Sequence, residues 1–253
     1  MKKFTIVKEN GAVIPCLAEL PKQADHVIIV VHGFASKKES VTNNLLLARL
    51  PQLGFGVVVY DQPGHGTEQA RQEPLRIENC LSSLAAVERW VRRFRPGAEI
   101  GYFSSSFGAY ITGIYISRCE HAGTHAFFRS AAVNMPKLMN SGQPVTPEQQ
   151  RFIDENGYLP SDPAFGDVID VPGGMLRDLA ENDLFACFAP QHTAVCMIHG
   201  QDDPVVDVRQ AQAFAEKFSV PITVVPGEGH SICNDPQSPE LVLQTAAAFY
   251  KNT

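Results

Sequence analysis

The stretch "EIGYFSSSFGAY", residues 99–110, decides how the rest of the chain is read. Glu99 to Phe103 is an apolar, strand-like run, and from Phe107 onward the apolar spacing is helical, so the three serines sit at a strand-to-helix junction. Such a junction admits two readings. Serine is a favoured helix N-cap, and "SSS" would then be a polar turn. Alternatively, one serine is a nucleophile on a sharp elbow, whose strained backbone requires small residues two positions before and after it. Ser104 is excluded by Tyr102, and Ser105 by Phe103 and Phe107. Ser106, flanked at those positions by Ser104 and Gly108, alone meets the requirement.

Around this junction, short apolar runs alternate with helical patterns, as in a mostly parallel sheet covered on both faces. The runs are Val27–Val31, Gly56–Tyr60, Glu99–Phe103, Ala131–Val133, Val195–His199 and Ile222–Val225, and an N-terminal hairpin pairs Phe4–Val7 with Val13–Leu17 around Asn10-Gly11. Helices are expected near Asn44–Leu50, Ile77–Phe94, Phe107–Ser117, Val208–Phe218 and Pro239–Tyr250. From Pro136 to Gly174 the alternation stops in favour of prolines and glycines, with one helical piece capped by Thr146 and opened by Pro147. The expected organisation is one α/β domain formed by residues 1–135 and 184–253, interrupted at 136–183 by an insertion that is either a functional lid or a linker.

Composition narrows the function classes. The chain has 253 residues, 44% hydrophobic and 19% charged, with a net charge of −6 and no basic run. Nucleic acid and anionic membrane surfaces are therefore poor partners, and no stretch has the length of a membrane span. The start, "MKKFTIVKEN", is basic but is broken by Lys8, Glu9 and Asn10 before any apolar signal region forms. Six scattered cysteines lack metal-ligand spacing and read as reduced, mostly buried thiols of a cytoplasmic protein.

A serine nucleophile needs a base and an orienting acid. His230, in "VPGEGHSI", lies just beyond the last strand run, at the sheet end where ligands and catalytic groups gather. His32 and His65 read as loop-bracing residues and His199 as packing, while His121, His125 and His192 have no comparable setting. In "HGQDDPVVD" the acid is Asp202 or Asp203, which cannot both point inward, and Asp207 reads as a helix cap. "VHGF" after the strongest strand run supplies a glycine loop whose N–H groups can face a developing oxyanion.

Taken together, "HGF" at 32–34, "YDQPGHG" at 60–66, "SSSFG" at 104–108, "HGQDDPVV" at 199–206 and "GEGHS" at 227–231 resemble the α/β-hydrolase family, in order and over nearly the whole chain. The resemblance implies an α/β-hydrolase fold, Ser106 as nucleophile, His230 as base and Asp203 as acid. It also implies the backbone N–H groups of Phe34 and Phe107 as oxyanion donors. The position two before the nucleophile, commonly glycine in the family, is Ser104 here. The stretch 136–183 is similar to the short cap of esterase-like and serine-peptidase-like members. The expected substrate is a small or medium neutral ester, without cofactor or metal, in a pocket lined by the apolar side chains of Phe34, Phe107, Phe152 and Tyr158. A serine aminopeptidase or thioesterase uses the same residues. A cofactor-free lyase or haloperoxidase could also keep them, and a non-catalytic ligand receptor is the remaining alternative. Acyl preference and oligomeric state are not legible.

Overall fold

The structure, a computed structural model, describes residues 1–139 and 145–251; residues 140–144 of the expected cap, Pro144 among them, and 252–253 at the end of the expected core lie outside the described residues. Its strands are β1 (Lys2–Val7), β2 (Val13–Glu19), β3 (His26–Val31), β4 (Phe55–Tyr60), β5 (Glu99–Ser105), β6 (Gly123–Arg129), β7 (Tyr158–Pro160), β8 (Asp170–Pro172), β9 (Ala194–Gly200) and β10 (Ile222–Val225). Eight of them form one sheet in the order β1-β2-β4-β3-β5-β6-β9-β10. From β4 to β10 neighbouring strands run parallel, and the β1–β2 hairpin adds antiparallel to β4.

Side chains on opposite faces of the central strands enter two separate cores, as the two-residue strand period requires. Val27, Ile29 and Val31 join a core with helices Ile77–Phe94, Phe107–Arg118 and Val208–Phe218. Ile28 and Val30 face helices Val41–Arg49 and Ser238–Lys251. This double covering accounts for the unbroken β-branched run at 27–31, every residue of which is buried.

One expected strand lies elsewhere. Ala131–Val133 is fully buried but is a loop, and the strand that precedes it is Gly123–Arg129. Thr124, His125 and Arg129 disguise that strand, whereas the apolar triplet earns its burial by packing behind the serine junction, where Ala132 N–H donates to Ser106 O at 3.2 Å. Thiol burial is also less complete than expected: Cys16 and Cys80 are buried, but Cys233 is exposed. No helix among the described residues is long and apolar enough to cross a membrane.

The stretch following β6 carries helices Pro147–Asn156 and Gly173–Glu181 and the small antiparallel β7–β8 pair. Thr146 and Gln149 form a complete capping box at the first of these helices, with Pro147 at its start. This region is tied to the start of the Ile77–Phe94 helix by an Arg76–Asp178 ion pair, and to the loop after β3 by a Lys37–Asp167 ion pair and Asp167 N–H on Ala35 O at 3.0 Å. The segment after β3 is fixed from below by a fully buried Lys38–Asp61 pair at 2.7 Å, and Asp61 also accepts the backbone N–H groups of Lys38 and Thr67.

Helix Phe107–Arg118 approaches the end of β3 so closely that a Cβ at Gly108 would stand 2.1 Å from Val31 O and 2.6 Å from His32 O. Both obstacles are backbone. Gly108→Ala is therefore expected to lower unfolding free energy by at least about 2 kcal/mol, read as a reduced urea midpoint at pH 7 with unchanged denaturant slope.

Candidate active site

Each serine of the 104–106 run has a different role. The Ser104 hydroxyl is buried against Thr112 Oγ1 at 2.7 Å, stapling β5 to the following helix. Ser105 Oγ accepts from Arg129 Nε at 3.1 Å. Ser106 holds φ 51° and ψ −117°, a left-handed backbone for a non-glycine residue, and its side chain caps nothing. The capping reading of "SSS" therefore does not apply to Ser106. Its N–H donates to Arg129 O at 2.9 Å, and its C=O accepts from Ala109, Tyr110 and Ala132, so the strained turn is held from both sides.

Three residues past β9, Asp203 turns inward while its neighbour Asp202 stays exposed. The buried Asp203 carboxylate receives four donors. Val205 and Val206 N–H reach Oδ1 at 2.8 and 2.9 Å, and His230 Nδ1 reaches Oδ2 at 2.7 Å. His199 Nε2 lies 3.1 Å from the same Oδ2 and 2.9 Å from Val206 O, so this nitrogen carries the proton and donates. Burial pushes the Asp203 carboxyl pKa up, but the bonds from His199 and His230, the His230 charge and the Val206 N–H outweigh it and hold the pKa well below the ordinary range. With Nδ1 engaged on Asp203, Nε2 is the His230 ring nitrogen left to accept a proton.

Glu228 anchors the histidine loop by accepting the N–H groups of Asn234 and Asp235 at 2.9 and 2.8 Å. That loop also lies against the end of β9, where a Cβ on Gly200 would come within 2.3 Å of Gly229 O. Asp207 caps the Val208–Phe218 helix, as read from the sequence.

Ser106 and His230 line one cavity of about 430 Å³ at the carboxyl ends of the strands. Gly33 and Phe34 form part of its wall, with the Gly33 Cα close enough that a Cβ there would touch Ser106 Cβ at 3.4 Å. Phe107 opens its helix, so its N–H lacks an intrahelical acceptor, and neither it nor Phe34 N–H meets a backbone acceptor among the described residues. His32 braces this loop through Nδ1–H on Gly33 O and Nε2 accepting Gln62 N–H. His65 is fully buried, and burial drives its pKa down to about 3, which removes it as a base at neutral pH.

The pocket lining differs from expectation in three ways. Phe34 is in the wall, but the Phe107 side chain is buried in the core, where it packs edge-to-face on Phe34 with centroids 6.0 Å apart. Phe152 and Tyr158 pack on each other and do not line the cavity; Ala164 and Phe165 come from the 136–183 stretch instead. Finally, the wall contains a fixed charge, Arg129, where none was expected. Arg129 and the Asp203-binding side of His199 are the functional features that sequence reasoning missed. For Arg129 the signal was its place at the carboxyl end of a parallel strand, hidden because that strand was assigned to 131–133. For His199 it was the four-residue spacing to Asp203.

A parallel sheet with this strand order, a strained serine after β5 and a histidine–aspartate pair beyond the last strands define an α/β-hydrolase. Residues 22–154 match the family model for serine aminopeptidase, S33, and the chain belongs to that family. Among solved structures, a putative hydrolase from Agrobacterium vitis S4 is similar with TM-score 0.80 at 19% identity, covering 98% of this chain and 97% of that one. Est1E from Butyrivibrio proteoclasticus is similar with TM-score 0.77 at 17% identity, with the same coverage. Alpha/beta hydrolase domain-containing protein 10 from mouse gives TM-score 0.75 at 14% identity, covering all of both chains. No curated protein sequence matches the chain.

The depressed Asp203 pKa makes stability depend on acid. An unfolded aspartate titrates near about 3.9, so the stabilisation from Asp203 is complete above that pH and is lost as pH falls toward the lower folded value. Asp203→Asn is expected to cost about 3 kcal/mol at pH 7, and urea melts at pH 7, 5 and 3 should show that the gap to wild type narrows only at pH 3. A gap independent of pH would mean that Asp203 is not held ionised by its partners.

Proposed function

We propose that the protein is a serine hydrolase that cleaves carboxylic esters of small or medium size through an acyl-enzyme formed on Ser106. The observation that carries this reading is the placement of a serine with left-handed backbone in the same cavity as a histidine already bound to a buried carboxylate. In the first half-reaction Ser106 Oγ attacks the ester carbonyl carbon as His230 Nε2 accepts the hydroxyl proton. Asp203 holds the imidazole in the required tautomer and stabilises its protonated form. The carbonyl oxygen becomes an oxyanion facing the N–H groups of Phe34 and Phe107, each such donor being worth on the order of 100- to 1,000-fold in rate. Collapse breaks the bond to the alcohol oxygen, which leaves with the proton from His230. Water then repeats the sequence, its proton passing to His230, its oxygen joining the acyl carbon, and Ser106 leaving reprotonated. Residues 136–183 act as a short cap whose Ala164 and Phe165 border the mouth.

The family's description raises aminopeptidase activity as the second reading. A free terminal ammonium would need a carboxylate anchor in the pocket. Among the described lining residues there is no Asp or Glu, and the charge present is the cation of Arg129. That charge balance favours esters over peptides with free amino termini. Thioesters remain compatible with the same residues.

The test is fluorophosphonate labelling followed by peptide mapping, together with turnover of p-nitrophenyl esters and aminoacyl anilides. Wild type should be labelled on Ser106 and should cleave the esters in preference to the anilides. Ser106→Ala should lose labelling and at least about 1,000-fold in kcat/KM. A folded wild type that takes no label and cleaves no ester would overturn the proposal, and preferential anilide cleavage would establish the peptidase reading.

A further inference from the structure

Arg129 ends β6 and lines the active-site cavity beside Ser105, Ser106, His230 and Ser231. Its guanidinium lies between the two halves of the machinery: Nε donates to Ser105 Oγ at 3.1 Å, next to the nucleophile in sequence, and Nη1 donates to Ser231 O at 2.6 Å, next to the base. A guanidinium has five N–H donors, so these two bonds leave three. No carboxylate of a described residue forms an ion pair with Arg129, and it is the one arginine among the described residues that line the active-site cavity. A half-buried cation with no carboxylate in direct contact is held against the cost of its lost hydration, which the more distant Asp203 charge offsets only in part. That cost is offset when the ligand supplies the anion.

Burial pushes the Arg129 pKa down to about 10, against the opposing influence of Cys233 and Asp203, so the group stays protonated throughout the neutral range. Bracing alone does not account for a charge here. Ser105 Oγ and Ser231 O are neutral acceptors that a neutral donor could satisfy. The rest of the wall is compatible with a polar ligand, since Ser36, Thr42 and Ser231 also contribute to it.

We infer that Arg129 is a specificity-determining residue that binds a free carboxylate of the substrate, making the preferred ester one whose acyl chain ends in a carboxylate. The inference rests on the serine-hydrolase reading and deepens it. A planar carboxylate matches the guanidinium fork, with two parallel charge-assisted hydrogen bonds available. A bound anion of this kind lies in the same cavity as Ser106, so the distance between the free carboxylate and the scissile carbonyl is set by the acyl chain. Half-esters of short dicarboxylic acids meet this requirement.

The experiment compares mono-p-nitrophenyl adipate with p-nitrophenyl hexanoate, two substrates of equal acyl length that differ in the terminal carboxylate. The ratio of their kcat/KM values is measured for wild type, Arg129→Gln and Arg129→Lys, with Ser106 labelling by a fluorophosphonate followed in parallel. The adipate-to-hexanoate ratio should fall by about 10- to 100-fold in Arg129→Gln and less in Arg129→Lys, which keeps the charge but not the fork. In wild type the ratio should also decline as salt is raised to about 0.5 M, because a partly exposed ion contact is screened. Should Arg129→Gln not fold, Arg129→Lys and the wild-type salt series carry the same test. A ratio unchanged by substitution and by salt, in enzyme that labels on Ser106 and cleaves hexanoate, overturns the assignment of Arg129 alone. No labelling and no cleavage of either ester by folded wild type overturns the hydrolase reading and this inference with it.

Discussion

The left-handed backbone of Ser106 is the constraint on which the rest of the site depends. A non-glycine residue held in such a conformation costs about 1–3 kcal/mol, and it persists because its surroundings leave no alternative. The N–H of Ser106 is fixed to the end of β6, and its C=O receives three donors. Ser104 and Gly108 leave room on either side of the turn, and Ser104 adds a hydroxyl bond to Thr112 that joins strand to helix. The commoner glycine at position 104 could not make that bond, so the departure from the family pattern adds a tie without adding bulk. One consequence is that the end of β3, the start of the Phe107–Arg118 helix and the end of β6 must all sit where they do at once.

A second centre of order is the Asp203 carboxylate. Two backbone N–H groups occupy one oxygen and two imidazoles share the other. His230 therefore meets an acid that cannot rotate, because His199 and the Val205–Val206 backbone have already fixed its plane. The arrangement divides labour between two histidines: one is buried and only positions, and the other is half-buried and open to the cavity. The buried Lys38–Asp61 pair plays the equivalent part for the loop that carries Phe34. There a paired charge, with backbone N–H groups filling the remaining acceptor sites, replaces the packing that a short polar loop cannot supply.

Much of this was legible in the sequence because the requirements are local. The elbow demands small residues at fixed offsets, and three serines phased against Tyr102, Phe103 and Phe107 leave Ser106 alone. The helices Ile77–Phe94 and Val208–Phe218 coincide with their apolar spacing because each presents one face to a core. What was not legible depends on contacts distant in sequence. Asp202 and Asp203 are equivalent until Val205, Val206 and His199 select one of them. Ala131–Val133 is as apolar as a strand, yet it is buried as a loop by its contact with Ser106. Phe152 and Tyr158 looked like pocket residues by composition, but they pack edge-to-face on each other away from the cavity, with Phe152 still exposed, and Phe165 borders the cavity in their place.

Arg129 joins these themes, because its position follows from the same strand end that holds Ser106. Its backbone C=O fixes the Ser106 N–H while its side chain reaches Ser105 and Ser231, so a single residue couples the serine turn, the histidine loop and the charge of the cavity. The chain as a whole carries a net charge of −6, which opposes the approach of an anion. Screening confines that repulsion to about 8 Å at physiological ionic strength. The selectivity proposed for an anionic ester is therefore a property of the contact rather than of long-range attraction. A cation placed at the surface would have gained little by the same reasoning. Set into the wall beside Ser106, where water is partly excluded, the same charge is what the proposed specificity rests on.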